Sequence, residues 1–441
     1  MPIPYQQVVA DSALPTTFTD IALMHSYLDA GSPVGELIYL GFGETWTQVA
    51  PGLAATLARP LPRHAHGYVL SQYGLPALHE VLRAHIASTH RLPSCLRAGR
   101  DFEVAATSGG TRAAMFDFAR LLQLDPATAT PPGKIPVLVA PLPGWDYKGV
   151  VEPLGYRTRF LPLREGNGCQ PSPEEFDHAL DAVAADPGQQ LALVAINAQH
   201  NPTGVNWHID VVQHMVRASL RAGAAVLLDD AYFAVHDPGL VPTSALGLLL
   251  EELQDCPPAA RRRWLAVRSL GKQFHCSGWG LGAATAHPDT LHALLNTVHL
   301  QRGFATAIPL QHAMATWLAD PAAERFVDEN NHAYAEKRTL VGALAEDVLG
   351  YPAGTVQLGE CATFLRLRVP TSYQGTGESI EAFRQACLTR AGVLLGVDRW
   401  HARWPDGSTP DPPCFRVYLG PPAPVLEEAL TRLAHAGLTY G

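Results

Sequence analysis

The sequence predicts an α/β fold with a mostly parallel central sheet flanked by helices, plus a smaller α+β domain. In the middle of the chain, short apolar runs alternate with longer helical patterns, and after about residue 320 this alternation stops. The apolar runs occupy residues 102–106, 135–141, 190–196, 224–228 and 264–268. Because parallel sheets are covered on both faces, such continuously apolar runs are typical of their strands.

Helical segments separate these runs. Ser172 can cap one helix, Pro173 suits its first turn, and Glu175 completes a capping box. A second helical pattern covers residues 211–221 and precedes the turn at Gly223. The regular exchange of strand and helix patterns predicts a large α/β domain over residues 56–318.

The C-terminal part has a different organisation. A long helix is predicted over residues 322–349, strands over 362–369 and 415–419, and a final helix over 425–436. This composition predicts a small α+β domain over residues 319–441, which the N-terminal segment 1–55 joins. The Pro-, Asp- and Gly-rich loop 400–413 is expected to be exposed and mobile.

Charge and cysteine usage exclude several classes of protein. The 441 residues carry a formal net charge of -9, so a broad basic face for nucleic acid or anionic lipid is not expected. Seven cysteines, odd in number and without a Cys-x-x-Cys pair, indicate reduced thiols and a cytoplasmic protein. We expect no leader peptide, because no basic stretch precedes an apolar one at the start. We also expect no membrane contact, because no apolar run approaches membrane-spanning length.

Polar residues follow each of the five apolar runs. These residues are Ser108-Gly109-Gly110-Thr111, then Trp145, then Asn201, then Asp229, and finally Ser269 with Lys272. In open α/β sheets, ligands collect at the carboxyl ends of the strands, where backbone groups and loop side chains converge. The sequence therefore predicts one ligand site built from all five strand ends.

Three segments in this set point to a particular chemistry. They are Asn201-Pro202-Thr203-Gly204, Asp229 with Tyr232, and Ser269-Leu270-Gly271-Lys272. A lysine amine can condense with the aldehyde of pyridoxal phosphate (PLP), and a carboxylate can keep the cofactor's ring nitrogen protonated. Taken singly, these segments are an ordinary turn, a helix cap and a surface lysine. Their occurrence in this order, each after a strand-like run, favours a PLP site.

On these motifs the chain resembles the class I/II aminotransferase family of fold-type I PLP-dependent enzymes, from about Gly41 to the C-terminus. The resemblance implies a role for each matching residue. Asn201 and Tyr232 would contact the cofactor's phenolic oxygen, Asp229 its ring nitrogen and Ser269 its phosphate, while Lys272 would form the Schiff base and act in catalysis.

Weaker matches extend the implied pocket. The backbone amides of Gly110 and Thr111, where a helix begins, would bind the phosphate. Trp145 would stack on the cofactor ring. Arg416 would bind the substrate carboxylate, a task that suits the planar guanidinium fork.

Two further positions concern the partner subunit and the substrate. Tyr68 and Tyr73 compete for the tyrosine that reaches the phosphate across a dimer interface, and the spacing to Gly74 favours Tyr68. Gly43, within an unusual segment over residues 41–46, should face the substrate. The resemblance accordingly implies a homodimer with shared active sites.

One position departs from the family pattern. Gly280 stands eight residues after Lys272, where most of the family has an arginine that pairs with the cofactor phosphate. Loss of such a charge-assisted pair weakens anion binding by roughly 1.5–3 kcal/mol. Arg268, Arg112 or Arg302 could compensate for the missing charge, or the gap could admit part of a large substrate.

Three functions remain open on the sequence. The first is amino transfer from an amino acid to an oxo acid. Gly280 and segment 41–46 motivate the second, which is elimination, replacement or cyclisation on an amino-acid-type substrate. The third is a non-catalytic PLP-binding regulator, which would ordinarily need an added DNA-binding domain. No metal site is expected, because the histidines form no credible four-ligand set.

Overall fold

The computed structural model describes residues 19–41, 49–304, 307–374, 379–398 and 411–441. The strands are β1 (Ile38–Leu40), β2 (Glu103–Ser108), β3 (Ile135–Leu142), β4 (Arg157–Pro162), β5 (Gln189–Ile196), β6 (Ala225–Asp229), β7 (Trp264–Ser269), β8 (Leu281–Ala286), β9 (Phe364–Arg368), β10 (Val393–Val397) and β11 (Cys414–Tyr418).

The helices follow the same order. They are α1 (Thr19–Asp29), α2 (Pro51–Leu57), α3 (Pro76–Thr89), α4 (Gly110–Leu124), α5 (Tyr147–Val151), α6 (Pro173–Ala184), α7 (Ile209–Arg221), α8 (Ala245–Glu252), α9 (Leu270–Phe274), α10 (Pro288–Ala293), α11 (Ile308–Leu318), α12 (Ala322–Asp347), α13 (Ser379–Ala391) and α14 (Ala423–His435). Among them, none is long and apolar enough to cross a membrane.

Seven strands form the large sheet, in the order β2-β8-β7-β6-β5-β3-β4. The pairings are parallel except at β8, which runs antiparallel to both β2 and β7. The mostly parallel α/β prediction is therefore confirmed. Two strands of the large sheet were not predicted: β4, with two arginines at a sheet edge, and β8, half of whose residues are alanine.

The large sheet is covered on both faces, as the continuous apolar runs predict. Alternate residues of each central strand enter different hydrophobic clusters, so Leu228 and Ala266 pack on one face while Leu227 and Val267 pack on the other. This alternation follows from the two-residue period of a strand. It also decides which face each polar residue beyond the strand ends will occupy.

Four strands form the small sheet, in the order β1-β10-β11-β9. β1 is parallel to β10, so an N-terminal strand pairs with the C-terminal part of the chain, while β11 is antiparallel to both β10 and β9. Side chains of α12, α13 and α14 complete its core. The domain limits after residues 55 and 318 stay predictions.

The start of α6 differs in part from its prediction. Ser172 caps the helix, because its Oγ accepts a hydrogen bond from the Glu175 backbone N–H at 3.3 Å. The Glu175 carboxylate, however, accepts a hydrogen bond from Arg164 Nε at 2.7 Å. The reciprocal half of the predicted capping box is thus replaced by an ion pair, because a guanidinium is the stronger donor.

The two sheets meet at a turn that needs glycine. Gly204, with φ of +70°, lies against residues 359–361, and its carbonyl accepts hydrogen bonds from the backbone N–H groups of Glu360 and Cys361. A Cβ at Gly204 would lie 2.9 Å from the carbonyl oxygen of Cys361. The close approach of the two sheets therefore depends on the missing side chain.

We predict that Gly204→Ala lowers the free energy of unfolding by about 2–4 kcal/mol, through left-handed strain plus overpacking. Gly223→Ala is the matched control, because Gly223 has φ of +69° with nothing within 4 Å of the added Cβ. In the control, only the left-handed strain should act, so its free energy of unfolding should fall by about 1–2 kcal/mol. Urea unfolding measures both values, and equal losses would contradict the close-approach argument.

Candidate active site

The polar residues at the strand ends divide between the two faces of the large sheet. Asp229 follows Leu227 by two residues and Ser269 follows Val267 by two residues, so they continue the same face of the sheet. Asp229 also pairs in register with Val267. Asp230 and Arg268 accordingly belong to the opposite face. The candidate site lies on the Asp229 face, where Tyr147 also packs.

Asp229 is a buried carboxylate with two hydrogen bonds. Its side chain is about 4% exposed, and it accepts bonds from the Tyr147 hydroxyl at 2.7 Å and from the Ala231 backbone N–H at 3.2 Å. Burial raises the pKa of Asp229 to about 6, although both hydrogen bonds act in the opposite direction. Among the described residues it has no ion-pair partner, so a cation placed beside it would be strongly favoured.

Asn197 joins two of the predicted site residues. Its Nδ2 donates to the backbone carbonyl of Asp229 at 2.6 Å, and its Oδ1 accepts from the backbone N–H of Asn201 at 2.8 Å. Asn197 is itself buried. Neither Asn197 nor Tyr147 was identified from the sequence, although each stands within four residues of a motif residue, Asn197 before Asn201 and Tyr147 after Trp145.

Lys272 lies in the short helix α9, directly after β7. The helix is capped by Ser269, whose Oγ accepts a hydrogen bond from the Lys272 backbone N–H at 3.2 Å. The Lys272 ammonium lies 5.9 Å from the centroid of the Tyr232 ring, and that ring packs edge-on against Phe364. The structure thus brings Lys272 and Tyr232 together at the ends of neighbouring strands.

The predicted phosphate loop meets Gly280. Gly109 and Gly110 have φ of +85° and +73° at the start of α4, and the backbone N–H of Gly110 donates to the Gly280 carbonyl at 2.7 Å. That amide is therefore already engaged, which leaves Thr111 as the better candidate of the two. A Cβ at Gly280 would lie 3.5 Å from Gly109 Cα, so position 280 faces this loop.

The three arginines considered as substitutes for the missing charge lie in different places. Arg268 is buried on the opposite face, over the Phe233 ring. Arg302 bonds to Asp117 of its own chain, with Nε to Oδ1 at 2.8 Å. Only Arg112 lies at the site.

Arg112 follows Thr111 directly and belongs to the same wall of the site as Trp145. Its guanidinium carbon is 4.5 Å from the centroid of the Trp145 ring, and it pairs with Asp146 at 3.2 Å. The ion pair and the ring contact hold this charge beside two residues predicted to bind the cofactor.

Arg416 brings the small sheet into the site. It lies on β11 and donates to Asn201 Oδ1 at 3.2 Å and to the Val397 carbonyl at 3.1 Å. Its guanidinium also lies over the Phe364 ring, 5.2 Å from the centroid. The predicted carboxylate-binding group therefore touches the predicted cofactor-binding asparagine across the junction of the two sheets.

The two competing tyrosines have opposite environments. Tyr68 is 80% exposed and its ring centroid lies 5.4 Å from that of Phe304. Tyr73 packs beside His79 and against the hydrophobic cluster on the Asp229 face, and burial raises the pKa of Tyr73. Tyr68 is therefore the more accessible of the two, and its contact with another subunit stays a prediction. Gly43 lies outside the described residues.

These residues fit PLP chemically. The site offers a lysine amine for an aldehyde, a buried carboxylate with no cation beside it, and hydroxyl and amide groups for the remaining polar atoms. Within the described residues, no group of three or more His, Cys, Asp or Glu side chains could hold a metal ion. The donor set therefore favours an organic cofactor with a cationic ring.

Sequence comparison gives a family match and several relatives. The family profile described as aminotransferase class I and II matches residues 38–433. An LL-diaminopimelate aminotransferase of Moorella thermoacetica is 24% identical over 304 residues, which cover 68% of each chain. A methionine aminotransferase of Escherichia coli is 28% identical over 178 residues, which cover 40% of this chain and 43% of the relative.

Structural comparison extends over nearly the whole chain. Substrate-bound BacF from Bacillus subtilis superposes with a TM-score of 0.75 at 19% identity, covering 100% of this chain and 99% of the other. A double mutant of aspartate aminotransferase from Thermus thermophilus gives 0.73 at 20% identity, covering 97% and 98%. At these identities the likeness establishes the fold.

We predict that Tyr147→Phe raises the pKa of Asp229 further, because the hydroxyl donates to the ionised carboxylate. A carboxyl whose pKa is raised on folding from 3.8 to about 6 stabilises the protein fully below pH 4 and loses about 3 kcal/mol as pH rises through 6. In Tyr147→Phe this loss should continue above pH 6.

Urea unfolding of the cofactor-free protein at a series of pH values measures the effect. The matched control is Tyr156→Phe, whose buried hydroxyl donates only to the Ala119 carbonyl at 2.8 Å. The control should leave the pH at which stability is lost unchanged. The same pH profile in both variants would contradict the assigned role of Tyr147.

Proposed function

Because the chain belongs to the class I and II aminotransferase family, we propose that it transfers the amino group of an α-amino acid to an oxo acid, with Lys272 as the catalytic lysine. The observation that carries this proposal is a set of contacts that links Arg416 on β11 to two groups. They lead through Asn201 and Asn197 to Asp229 at the end of β6, and through Phe364 and Tyr232 to Lys272 in α9. Amine, carboxylate and guanidinium are the groups that PLP-dependent chemistry on an amino acid requires.

PLP, when bound, supplies an aldehyde for the substrate amine and a cationic ring that withdraws electrons from the substrate α-carbon. Asp229 would hold the ring nitrogen, and Tyr147 keeps that carboxylate oriented and ionised. Asn201 and Tyr232 would bind the phenolic oxygen, Trp145 would cover the ring, and Ser269, Thr111 and Arg112 would share the phosphate. Asp229, Ser269 and Trp145 on one face of the sheet support these assignments, as do the contacts of Asn201, Tyr232 and Arg112 with neighbouring site residues.

Arg416 and Lys272 would act on the substrate. The Arg416 fork would bind the carboxylate in two parallel hydrogen bonds and so fix which α-carbon bond faces the cofactor. The Lys272 amine would take the proton from the substrate α-carbon as a general base. It would then deliver the proton to the carbon of the cofactor's aldehyde group. Phe364 packs against both Tyr232 and Arg416, which limits water at this point.

Gly280 keeps a second reaction under consideration. Its carbonyl holds Gly110, and its φ of +63° suits glycine. A substrate with a leaving group on its β or γ carbon could occupy the space that the absent arginine side chain leaves. The same proton abstraction by Lys272 would then lead to elimination, replacement or cyclisation. The non-catalytic regulator is disfavoured, because Lys272, Asp229 and Asn201 are all present.

The proposal is tested by titrating the purified holoenzyme with a panel of amino acids and following the cofactor's absorbance together with oxo-acid formation. Conversion of the cofactor to its amine form in step with oxo acid supports amino transfer, whereas absorbance changes without equivalent oxo acid support the second reaction. Lys272→Ala should lower turnover at least about 10²–10⁴-fold.

Lys134→Ala is the matched control for Lys272→Ala, because Lys134 lies on the surface before β3. It should retain turnover and cofactor binding. Borohydride should fix the cofactor onto Lys272 in wild type and in Lys134→Ala, but not in Lys272→Ala. A wild-type protein that stays colourless with saturating PLP would refute the cofactor assignment to this site.

We also propose that the active protein is a homodimer, for which an exposed apolar group provides a surface. Tyr68 and Leu70 are 80% and 95% exposed, and Phe304 and Leu300 are also exposed. Exposure of several large apolar side chains is typical of a surface that another protein covers. Tyr68 would then reach the partner's phosphate. The cytoplasmic location stays a prediction.

Leu70→Asp should convert the dimer to a monomer and reduce cofactor affinity, because it places a charge in the apolar contact and removes Tyr68 from the partner's site. Light scattering after gel filtration measures the mass. Val34→Asp is the control, an exposed apolar residue near the small sheet that should leave the mass unchanged. A monomeric wild type would contradict the proposal.

A further inference from the structure

A large cavity lies on the face of the large sheet opposite to the candidate active site. We call it the rear cavity; it has a volume of about 840 Å³ and is lined by parts of α3, α12 and the loop after Tyr232. Its walls also include Phe274 and Leu318, which belong to the hydrophobic cluster on the Asp230 face of the sheet. A cavity of this volume is large enough for a small metabolite.

One wall of the rear cavity is acidic. Glu324, Val327, Asp328 and Asn331 lie at intervals of three and four residues on one face of α12 and all line the cavity. Within the described part of the chain, neither carboxylate forms an ion pair. The helix N-terminus favours Glu324 in the first turn, but Asp328 lies beyond that turn and lacks this support.

Two buried amides on the same cavity lack a partner for their oxygens. Asn331 is 5% exposed, and its Nδ2 donates to the Ala234 carbonyl at 3.2 Å, whereas no described residue donates to its Oδ1. Gln273 is 4% exposed, and its Nε2 contacts His85 at 3.3 Å, whereas its Oε1 has no described donor. A buried acceptor without a donor is costly, so a ligand donor that reached these side chains would be favoured.

Another part of the lining carries positive charge. Arg91 lines the cavity just after α3 and, among the described residues, has no ion-pair partner. Deeper on that side, Arg268 donates to His90 at 2.7 Å, and its Nε and Nη1 have no described acceptor. Asp230 lies behind His90 at 3.6 Å and offsets part of this charge.

Two of the imidazoles that line the cavity, those of His85 and His90, add no charge. Burial, together with the positive charge of Arg268, lowers the pKa of His85 to about 4 and that of His90 well below its usual value. The ring centroids of His90 and Phe233 lie 4.0 Å apart, and the ring planes are tilted by 36°. The lining therefore combines uncharged rings with two carboxylates and a guanidinium.

We propose that the rear cavity binds a free amino acid, with its ammonium group at Glu324 and Asp328 and its carboxylate at Arg91. The ammonium group supplies the hydrogen-bond donors that the amide oxygens of Gln273 and Asn331 lack, and the side chain packs on the neutral rings. A zwitterion satisfies both charged walls at once, which neither a simple amine nor a simple acid does.

This ligand would touch the segments that carry the active-site residues. Gln273 and Phe274 directly follow Lys272 in α9, and Phe233 directly follows Tyr232. Binding in the rear cavity would restrict both segments from the side opposite to the cofactor. The cavity is thereby a regulatory amino-acid site, distinct from the one that Arg416 serves.

Calorimetric titration of the borohydride-reduced holoenzyme with a panel of free L-amino acids tests the proposal, because reduction blocks the active site. At least one amino acid should bind at one molecule per chain. Glu324→Gln/Asp328→Asn and, separately, Arg91→Gln should each weaken that binding at least 10-fold. The control Glu329→Gln/Glu336→Gln removes the same charge from α12 outside the cavity and should bind as the wild type does.

Each contrary result is decisive. Absence of binding by every amino acid, or equal binding by all variants, would overturn the site. An amine that binds as tightly as the amino acid from which it derives would overturn the zwitterion assignment. Failure of borohydride to fix PLP would refute the cofactor assignment instead, and the unreduced protein would then be titrated to test the rear cavity on its own.

Discussion

The site depends on a carboxylate held out of water at the end of a central strand. Asp229 follows four apolar residues of β6, and it is about 4% exposed. A charge in such a position is tolerated only with strong hydrogen bonds or a nearby cation. Tyr147 and the Ala231 backbone N–H supply the hydrogen bonds. The protonated ring nitrogen of a bound cofactor would supply the cation.

Because successive residues of a strand point to opposite faces of the sheet, neighbouring residues at the strand ends belong to two different sites. Asp229 and Asp230 are adjacent in the chain but belong to opposite faces, and the same holds for Ser269 and Arg268. One face collects the groups that suit PLP. The other collects a buried cluster of Arg268, His90 and Asp230 beside a cavity, and a ligand bound there would contact segments that also carry residues of the first face.

Much of the fold and the main motifs could be predicted from the sequence, because the buried strands are continuous apolar runs and the site residues follow them. The edge strand β4 was missed because its arginines interrupt the pattern, and β8 because alanine and glycine give little strand signal. Tyr147 and Asn197 were missed because a hydrogen bond between residues 82 apart, such as that from Tyr147 to Asp229, has no local signature. The structure separates Tyr68 from Tyr73 by exposure, which spacing alone does not reveal, and the role of Tyr68 stays a prediction.

The backbone contacts around Gly204 also restrict how the molecule can move. The backbone N–H groups of residues 360–362 donate to the carbonyls of Gly204 and Val235, and the Asp237 N–H donates to the Glu360 carbonyl. A row of main-chain hydrogen bonds thus joins the two sheets. A rotation of the small sheet about these bonds would preserve them, whereas a sliding movement along them would break them. Such a rotation would change the distance between Arg416 and Lys272, and with it the length of substrate that the two groups could hold.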